Sequence, residues 1–290
     1  MTKIALRTVY TVADLRIAIA EHKKAGKRIA LVPTMGNLHE GHTSLIDTAR
    51  KHADIVVASV FVNPTQFSPD EDFSSYPRTL DSDATKLMNA SVNILFAPTT
   101  RDMYPTGFST NVTVDGITDC LCGLNRPHHF QGVSTVVTKL LLQCQPDVAV
   151  FGKKDYQQLQ VIRHMVRDLD IPVEIIGSQT WREEDGLAMS SRNGYLDDTQ
   201  RAIAPILYKV ISEIAWHAND GKPLGPLLDE GKKTILKAGL DSVDYLEVRD
   251  AESLVPLHQI ENTKARVFVA AHIGATRLID NVSVSNKRPN

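Results

Sequence analysis

In the first 180 residues, short apolar runs alternate with segments in which apolar positions recur every three to four residues. The run Ile-Val-Val-Ala-Ser-Val-Phe-Val at 55–62 is rich in β-branched residues, as in a strand buried on both faces. The pattern predicts strands at 28–33, 55–62, 92–97, 148–151 and 172–176, and helices at 43–52, 80–90, 133–144 and 157–169. Because strands and helices alternate, we expect an α/β fold with a parallel sheet and ligand-binding loops after its strands.

The pattern changes after about residue 180. Two amphipathic helices come first, and strands follow them. The predicted helices are 199–217 and 227–238, and the predicted strands are 243–249, 266–271 and 277–282. We therefore expect a domain with a parallel sheet at 1–180 and a smaller α+β domain at 181–290.

Composition narrows the class of protein. Apolar residues make up 42% and charged residues 23% of the 290 residues, which is typical of a globular protein. The net charge of −2 disfavours nucleic acid as a partner. The longest apolar run, 55–62, is too short for a membrane span. We expect no cleavable signal sequence, because charged residues interrupt any apolar centre near the start: Lys3, Arg7, Asp14 and Arg16. Three cysteines do not form a disulfide framework, so we expect inert thiols and a cytoplasmic location.

The densest candidate site is Pro-Thr-Met-Gly-Asn-Leu-His-Glu-Gly-His at 33–42, between a predicted strand and a predicted helix. Its glycines permit close backbone approach to a ligand, and the helix start offers N–H groups to an anion. His39 and His42 could donate hydrogen bonds to phosphate oxygens. Two other interpretations are a zinc site, for which more ligands would be required, and a structural pair of turn histidines.

Three further loops carry polar groups next to glycine or a strand end. Asn63 and Gln66 follow the second predicted strand and could hold a hydroxyl or carboxylate group. The segment 152–155 offers a glycine, two lysines and an aspartate, and 189–192 offers two serines and an arginine. Each loop taken alone is also consistent with an ordinary turn or a solvated helix start.

Six motifs occur in an order that resembles the pantothenate synthetase (pantoate–β-alanine ligase) family. They are Pro-Thr-Met-Gly-Asn-Leu-His-x-Gly-His, Phe-Val-Asn-Pro-x-Gln-Phe, Tyr-Pro-Arg-Thr, Arg-Pro-x-His-Phe-x-Gly-Val, Phe-Gly-x-Lys-Asp-Tyr-Gln-Gln-Leu and Ser-Ser-Arg-Asn. The His-x-Gly-His element also occurs across the wider nucleotidyltransferase superfamily. The resemblance implies a Rossmann-like parallel sheet of that superfamily at 1–180, which would bind the nucleotide and pantoate. The smaller domain at 181–290 would then serve as a lid.

The resemblance also implies an ATP-dependent carbon–nitrogen ligase. Pantoate would be activated by ATP as pantoyl adenylate, and β-alanine would then displace AMP to give pantothenate, on the route to coenzyme A. The implied partners are these small molecules and Mg²⁺, with no nucleic acid or membrane, and the family is typically a homodimer.

Carried over position by position, the resemblance assigns catalytic roles to His42, His39 and Lys154, the last of these on the phosphates. The implied ATP-binding residues are Met35, Gly36, Asn37, Leu38, His39, Glu40, Gly41, His42, Gly152, Lys153, Lys154, Asp155, Trp181, Met189, Ser190, Ser191 and Arg192.

The same resemblance implies that Gln66 and Gln158 bind pantoate, with Asn63 in the same pantoate and β-alanine site. Asp83 matches an acidic position near Mg²⁺. Two positions depart from the family pattern: Cys122 stands where the family usually has glutamate, and Lys153 stands where glutamate is common.

Overall fold

The computed structural model describes residues 5–69, 71–260 and 263–284. Their contacts divide the chain into two compact units. Unit 1 contains the described residues up to Lys153 and the segment Gln158–Gln179. Unit 2 contains the short segment Lys154–Gln157 and the described residues from Thr180 onward.

Unit 1 is built on a parallel sheet, as predicted. Its strands are β1 (Arg7–Val9), β2 (Ile29–Thr34), β3 (Ile55–Val60), β4 (Ile94–Phe96), β5 (Val148–Gly152) and β6 (Glu174–Ser178). The strand order is β1-β4-β3-β2-β5-β6, so the chain leaves β2 toward one edge and returns to its other side at β5. Such a switch point, at the carboxyl ends of β2 and β5, is where parallel sheets bind ligands.

Helices connect the strands of this sheet. They are α1 (Val12–Lys24), α2 (Glu40–Arg50), α3 (Leu80–Asn89), α4 (Thr100–Met103), α5 (Cys122–Asn125), α6 (His129–Cys144) and α7 (Tyr156–Asp168). Short 3₁₀ helices follow β3 at Pro64–Gln66 and β5 at Lys153–Asp155. The apolar first part of β2 (Ile29, Ala30, Leu31 and Val32) is fully buried, which explains why this strand was readable as an apolar run.

Unit 2 has the α+β composition expected from the sequence. Helices α8 (Asp198–Ile203), α9 (Ile206–Asn219) and α10 (Leu224–Lys237) precede strands β7 (Ser242–Asp250), β8 (Ala265–Ile273) and β9 (Thr276–Ser283). The strands form an antiparallel sheet in the order β7-β8-β9. Leu207, Ile211 and Ile214 of α9 share a buried core with Val267 and Val269 of β8.

Two local predictions fail for identifiable reasons. The predicted single helix at 199–217 is wrong, because the chain forms α8 and α9 on either side of Pro205. Proline has no N–H to donate and its ring clashes with the preceding helical turn. The sequence reading also missed β1 and α1, although Thr11 caps α1 by accepting a hydrogen bond from the Asp14 N–H at 3.1 Å.

Within the described parts of the chain, each helix is too short or too polar to cross a bilayer. Within the residues that the structure describes, Cys120, Cys122 and Cys144 form no disulfide bond. Burial raises the pKa of the Cys144 thiol to about 12, so this group stays protonated and unreactive at neutral pH.

Candidate functional site

The loop after β2 turns sharply through Gly36 and Asn37, both of which have positive φ, at 84° and 50°. A side chain at Gly36 would lie 3.0 Å from the Asp83 carboxylate and 3.2 Å from Val60, so the turn requires glycine on both grounds. Residues 35–42 therefore lie at the carboxyl end of β2, beside the switch point of the sheet.

Side chains of helix α3 hold this loop by hydrogen bonds to its backbone. Asp83 is fully buried, and its two oxygens accept hydrogen bonds from the backbone N–H groups of Asn37 at 3.0 Å and Leu38 at 2.8 Å. The Thr79 hydroxyl donates to the same carboxylate at 3.1 Å, and Lys86 Nζ donates to the Leu38 carbonyl at 2.5 Å. The loop conformation is thus set by charged side chains on another element.

These bonds bear on the predicted role of Asp83 at Mg²⁺. The carboxylate binds loop N–H groups, and the described residues contain no group of three or more His, Cys, Asp or Glu side chains suited to a metal. Mg²⁺ commonly binds through substrate phosphates with one or two carboxylates, so it does not require such a group when it arrives with ATP. Contact between Asp83 and Mg²⁺ stays a prediction.

His39 and His42 form the first turn of α2. His39 is the N-cap residue, and its Nδ1 accepts from the Gly41 N–H at 3.2 Å, while His42 Nδ1 accepts from the His39 N–H at 3.3 Å. The ring centroids are 4.1 Å apart. Because both Nδ1 atoms act as acceptors, each neutral ring carries its proton on Nε2. The capping bonds also explain why α2 begins at Glu40 rather than at the predicted residue 43.

Asn63 and Gln66 lie in the turn after β3. Asn63 caps the short 3₁₀ helix, and its Nδ2 donates to Gln66 Oε1 at 3.1 Å. Gln66 Nε2 lies 3.1 Å from the sulfur of Met35. The structure therefore brings together three of the predicted substrate residues, one from the loop after β2 and two from the turn after β3.

Arg126 and His129 hold the backbone of this turn. His129 Nδ1 lies 2.8 Å from the Gln66 carbonyl oxygen, and Arg126 Nη1 lies 3.1 Å from His129 Nε2. A guanidinium group can only donate, so Nε2 accepts and the Nδ1–H donates to Gln66. Glu71 binds Arg126 through two contacts of 2.6 Å.

Close packing supports the same turn from α6. A Cβ atom at Gly132 would lie 2.4 Å from the Thr65 carbonyl oxygen, so only glycine allows α6 to approach the turn this closely. Helix α6 begins at His129, earlier than the predicted residue 133. The Arg-Pro-x-His-Phe-x-Gly-Val motif thus has a structural reason for its arginine, its histidine and its glycine.

Gly152 is the last residue of β5 and Lys153 follows it, both in unit 1, and Gln158 is half-buried near the start of α7. A Cβ atom on Gly177 of β6 would lie 3.2 Å from the Lys153 side chain, which therefore packs along the neighbouring strand. The predicted ligand contacts of these residues stay predictions.

In unit 2, β9 anchors the segment that contains the predicted phosphate lysine. Asn281 Nδ2 donates to the Lys154 carbonyl oxygen at 2.7 Å, and Lys154 Nζ lies 3.6 Å from Asp155 Oδ1. Arg266 lies over the ring of Tyr156, 4.0 Å from its centroid. The backbone of Lys154 is thereby fixed to the antiparallel sheet.

The predicted ATP residues at 189–192 also lie in unit 2. The Met189 N–H donates to the Trp181 carbonyl at 3.0 Å, and Trp181 is 49% exposed. Ser190 Oγ accepts from the Arg192 N–H at 3.3 Å and caps the 3₁₀ helix Ser191–Tyr195. The segment is ordered by backbone and capping bonds, and its contact with ATP stays a prediction.

Next to Trp181, Arg182 forms a buried cluster that sequence reasoning missed. Its guanidinium binds both oxygens of Asp280, at 2.6 and 2.9 Å, and lies 3.8 Å from the centroid of the Tyr208 ring. Asp280 lies in β9, within the segment Arg-Leu-Ile-Asp-Asn at 277–281, and no local pattern links it to Arg182.

Comparison with known proteins identifies the family to which this chain is similar. The family model described as pantoate-beta-alanine ligase matches residues 7–283. A pantothenate synthetase of Paramagnetospirillum magneticum is 55% identical over 97% of this chain and 98% of its own length. A pantothenate synthetase of Pseudomonas savastanoi is 51% identical over 97% of this chain and 99% of its own length.

Solved structures give the same result. Pantothenate synthetase from Thermus thermophilus matches with a TM-score of 0.91 and 47% identity, covering 96% of this chain and 99% of that one. Pantoate-beta-alanine ligase from Francisella tularensis, complexed with beta-gamma ATP and beta-alanine, matches with a TM-score of 0.80 and 34% identity over 96% and 98% of the two chains. The chain belongs to the pantoate–β-alanine ligase family.

Proposed function

We propose that the protein joins pantoate and β-alanine at the expense of ATP, giving pantothenate, AMP and pyrophosphate through a pantoyl-adenylate intermediate. The observation that carries this proposal is the histidine pair at the start of α2, with both Nδ1 atoms used by backbone N–H groups and the loop before it in contact with Gln66. Family membership supports the same reaction.

In the first step, a carboxylate oxygen of pantoate bonds to the α-phosphorus of ATP. The bond from that phosphorus to the bridging oxygen breaks, and the electron pair leaves with pyrophosphate. Negative charge grows on the phosphate oxygens, so hydrogen-bond donors must be in place beforehand. The Nε2–H groups of His39 and His42 and the N-terminus of α2 supply donors of this kind.

Two anions must approach each other in this step, so positioning matters as much as charge. Gln66 is held by Asn63 at its side chain and by His129 at its main chain, which suits it to fix the pantoate. Gln158 is proposed as a second amide on pantoate, and Lys154 with residues 189–192 is proposed to bind the phosphates. Mg²⁺ would supply further positive charge as part of the ATP complex.

In the second step, the amine nitrogen of β-alanine bonds to the acyl carbon of the adenylate. The carbon–oxygen bond to AMP breaks, and the ammonium proton passes to solvent. An acyl adenylate hydrolyses readily, so exclusion of water is required. We propose that residues 181–290 act as the lid and that 1–180 bind the nucleotide and pantoate. A homodimer in the cytoplasm stays a prediction.

Isotope exchange tests this function directly. With ATP and pantoate but no β-alanine, the enzyme should exchange labelled pyrophosphate into ATP. It should release AMP continuously only when β-alanine is added. Exchange without β-alanine-dependent AMP release would identify an adenylyltransferase that stops after the first step, and the absence of both reactions would refute the proposal.

A further inference from the structure

Asn63 is a buried amide whose orientation is fixed by groups of unambiguous polarity. The residue is 1% exposed. Its Oδ1 lies 3.4 Å from the Thr65 backbone N–H, and its Nδ2 lies 3.2 Å from the Gly132 carbonyl oxygen. A backbone N–H can only donate and a carbonyl can only accept, so the oxygen and nitrogen of this amide cannot exchange places without losing both contacts.

Hydroxyl groups reinforce this orientation. Tyr104 Oη donates to Asn63 Oδ1 at 2.7 Å, and Thr65 Oγ1 lies 3.0 Å from the same oxygen. Burial raises the pKa of Tyr104, which keeps its hydroxyl protonated and able to donate. The amide oxygen of Asn63 therefore has three protein donors, and its amide nitrogen faces Gly132 and Gln66.

The orientation of the Asn63 amide determines that of the Gln66 amide. Because Asn63 Nδ2 donates to Gln66 Oε1 at 3.1 Å, the carbonyl side of the Gln66 amide is occupied. The amide nitrogen has two hydrogens, and in the described part of the chain its contact is the Met35 sulfur at 3.1 Å, a weak acceptor. His129 holds the Gln66 main-chain carbonyl at 2.8 Å, so the backbone from which this side chain extends is fixed.

We propose that Asn63 is a positioning residue that sets the polarity of the Gln66 amide, so that Gln66 presents its NH₂ group to an oxygen atom of pantoate. The proposal rests on the function proposed above and moves Asn63 from direct substrate contact to the support of Gln66. A reversed amide would present its oxygen to the acid and repel a carboxylate. The network thus selects a hydrogen-bond acceptor at this position.

The test compares Asn63→Asp with Asn63→Ala. Aspartate keeps the shape of asparagine but replaces the NH₂ group with oxygen, which should turn the Gln66 amide around. Alanine only removes the support. If Asn63 sets the polarity of the Gln66 amide, Asn63→Asp should raise the pantoate KM more than Asn63→Ala does. We expect a rise of about 10–100-fold for Asn63→Asp, with the ATP KM changed less than about twofold. Loss of packing predicts the opposite order and would overturn the proposal.

Asn93→Asp is the matched control, because Asn93 uses Oδ1 to accept from the Val56 N–H at 2.9 Å and aspartate retains that acceptor. It should leave both KM values unchanged. Thermal unfolding of each variant separates folding defects from substrate effects.

If Asn63→Asp fails to fold, Tyr104→Phe decides the question. Removal of this hydroxyl should raise the pantoate KM about threefold while kcat is retained, and an unchanged pantoate KM would overturn the proposal. A wild-type enzyme without pantoate-dependent pyrophosphate exchange would instead refute the proposed function.

Discussion

The loop at 35–42 in unit 1 and the segment at 189–192 in unit 2 carry most of the predicted ATP residues, but they are held in different ways. The first is fixed by the fully buried carboxylate of Asp83, which belongs to a separate helix. The second is fixed by its own Ser190 cap and by backbone bonds beside the half-exposed Trp181. The first loop depends for its shape on a charge that is distant in the sequence and is in place before a ligand arrives, whereas the second segment carries a cap of its own.

The largest effect should follow from His42→Ala in the preorganised loop. Loss of one donor to the developing phosphate charge should lower kcat about 10²–10³-fold. Steady-state AMP release measures the effect. His52→Ala, at an exposed position just beyond α2, is the control and should behave as wild type. Near-wild-type turnover of His42→Ala would remove the catalytic role.

Asp83→Asn tests whether the buried carboxylate shapes the loop. The amide would place an NH₂ group against a backbone N–H, so the free energy of unfolding should fall by about 2–3 kcal/mol and ATP should bind more weakly. Denaturant unfolding and ATP titration measure the two effects. Asp81→Asn, on the exposed side of α3, should change neither. Weaker ATP binding without any loss of stability would instead favour a direct role at Mg²⁺.

Arg182→Lys probes the most buried ion pair near the second segment. Lysine cannot make both contacts with Asp280 or lie flat on Tyr208, so unit 2 should lose about 1–2 kcal/mol of stability. Arg201→Lys is a useful comparison, because Arg201 pairs with Glu183 at a more exposed position and should matter less. Equal losses in the two variants would contradict this ranking.

The smallest effect concerns acid stability in unit 2. Burial raises the pKa of Asp250, but hydrogen bonds from Thr263, Ser253 and the Glu252 N–H outweigh it and lower the pKa to about 2. A carboxyl with a depressed folded pKa stabilises the protein above its unfolded value of about 3.8 and loses that contribution as pH falls toward 2.

Unfolding between pH 5 and 2 (roughly the range that spans both pKa values) measures this contribution. Asp250→Asn should show a shallower decline than wild type, whereas Asp229→Asn, at an exposed site in α10, should follow wild type. Parallel curves for Asp250→Asn and wild type would show that these hydrogen bonds do not stabilise the charged form.

The sequence predicted the central strands because burial on both faces leaves a continuous apolar run. β2, β3 and β5 were therefore found close to their observed bounds. The edge strand β1 is only Arg7–Val9 and includes a charged residue, so its pattern carried little signal. Pro205 did carry a signal in the sequence, and it should have divided the predicted helix.

For the candidate site, the sequence identified residues but not their partners. The sequence placed the histidine pair just before a predicted helix, and the structure makes these residues the N-cap and the third helical position of α2. Asp83 and Asn37 are 46 positions apart, and Arg182 and Asp280 are 98 apart. Contacts over such separations depend on the tertiary fold, so no local pattern in one sequence indicates them.

One consequence follows from the placement of Lys154–Gln157 in unit 2, because the chain passes between the units at 153/154, 157/158 and 179/180. A fragment that begins at residue 180 would lack the Lys154 carbonyl, which accepts a hydrogen bond from Asn281, and the Tyr156 ring, which lies against Arg266. Adding a synthetic peptide of the missing segment should therefore restore stability to such a fragment. Dividing the whole chain at residue 180 is thus a poor way to obtain two parts that fold on their own.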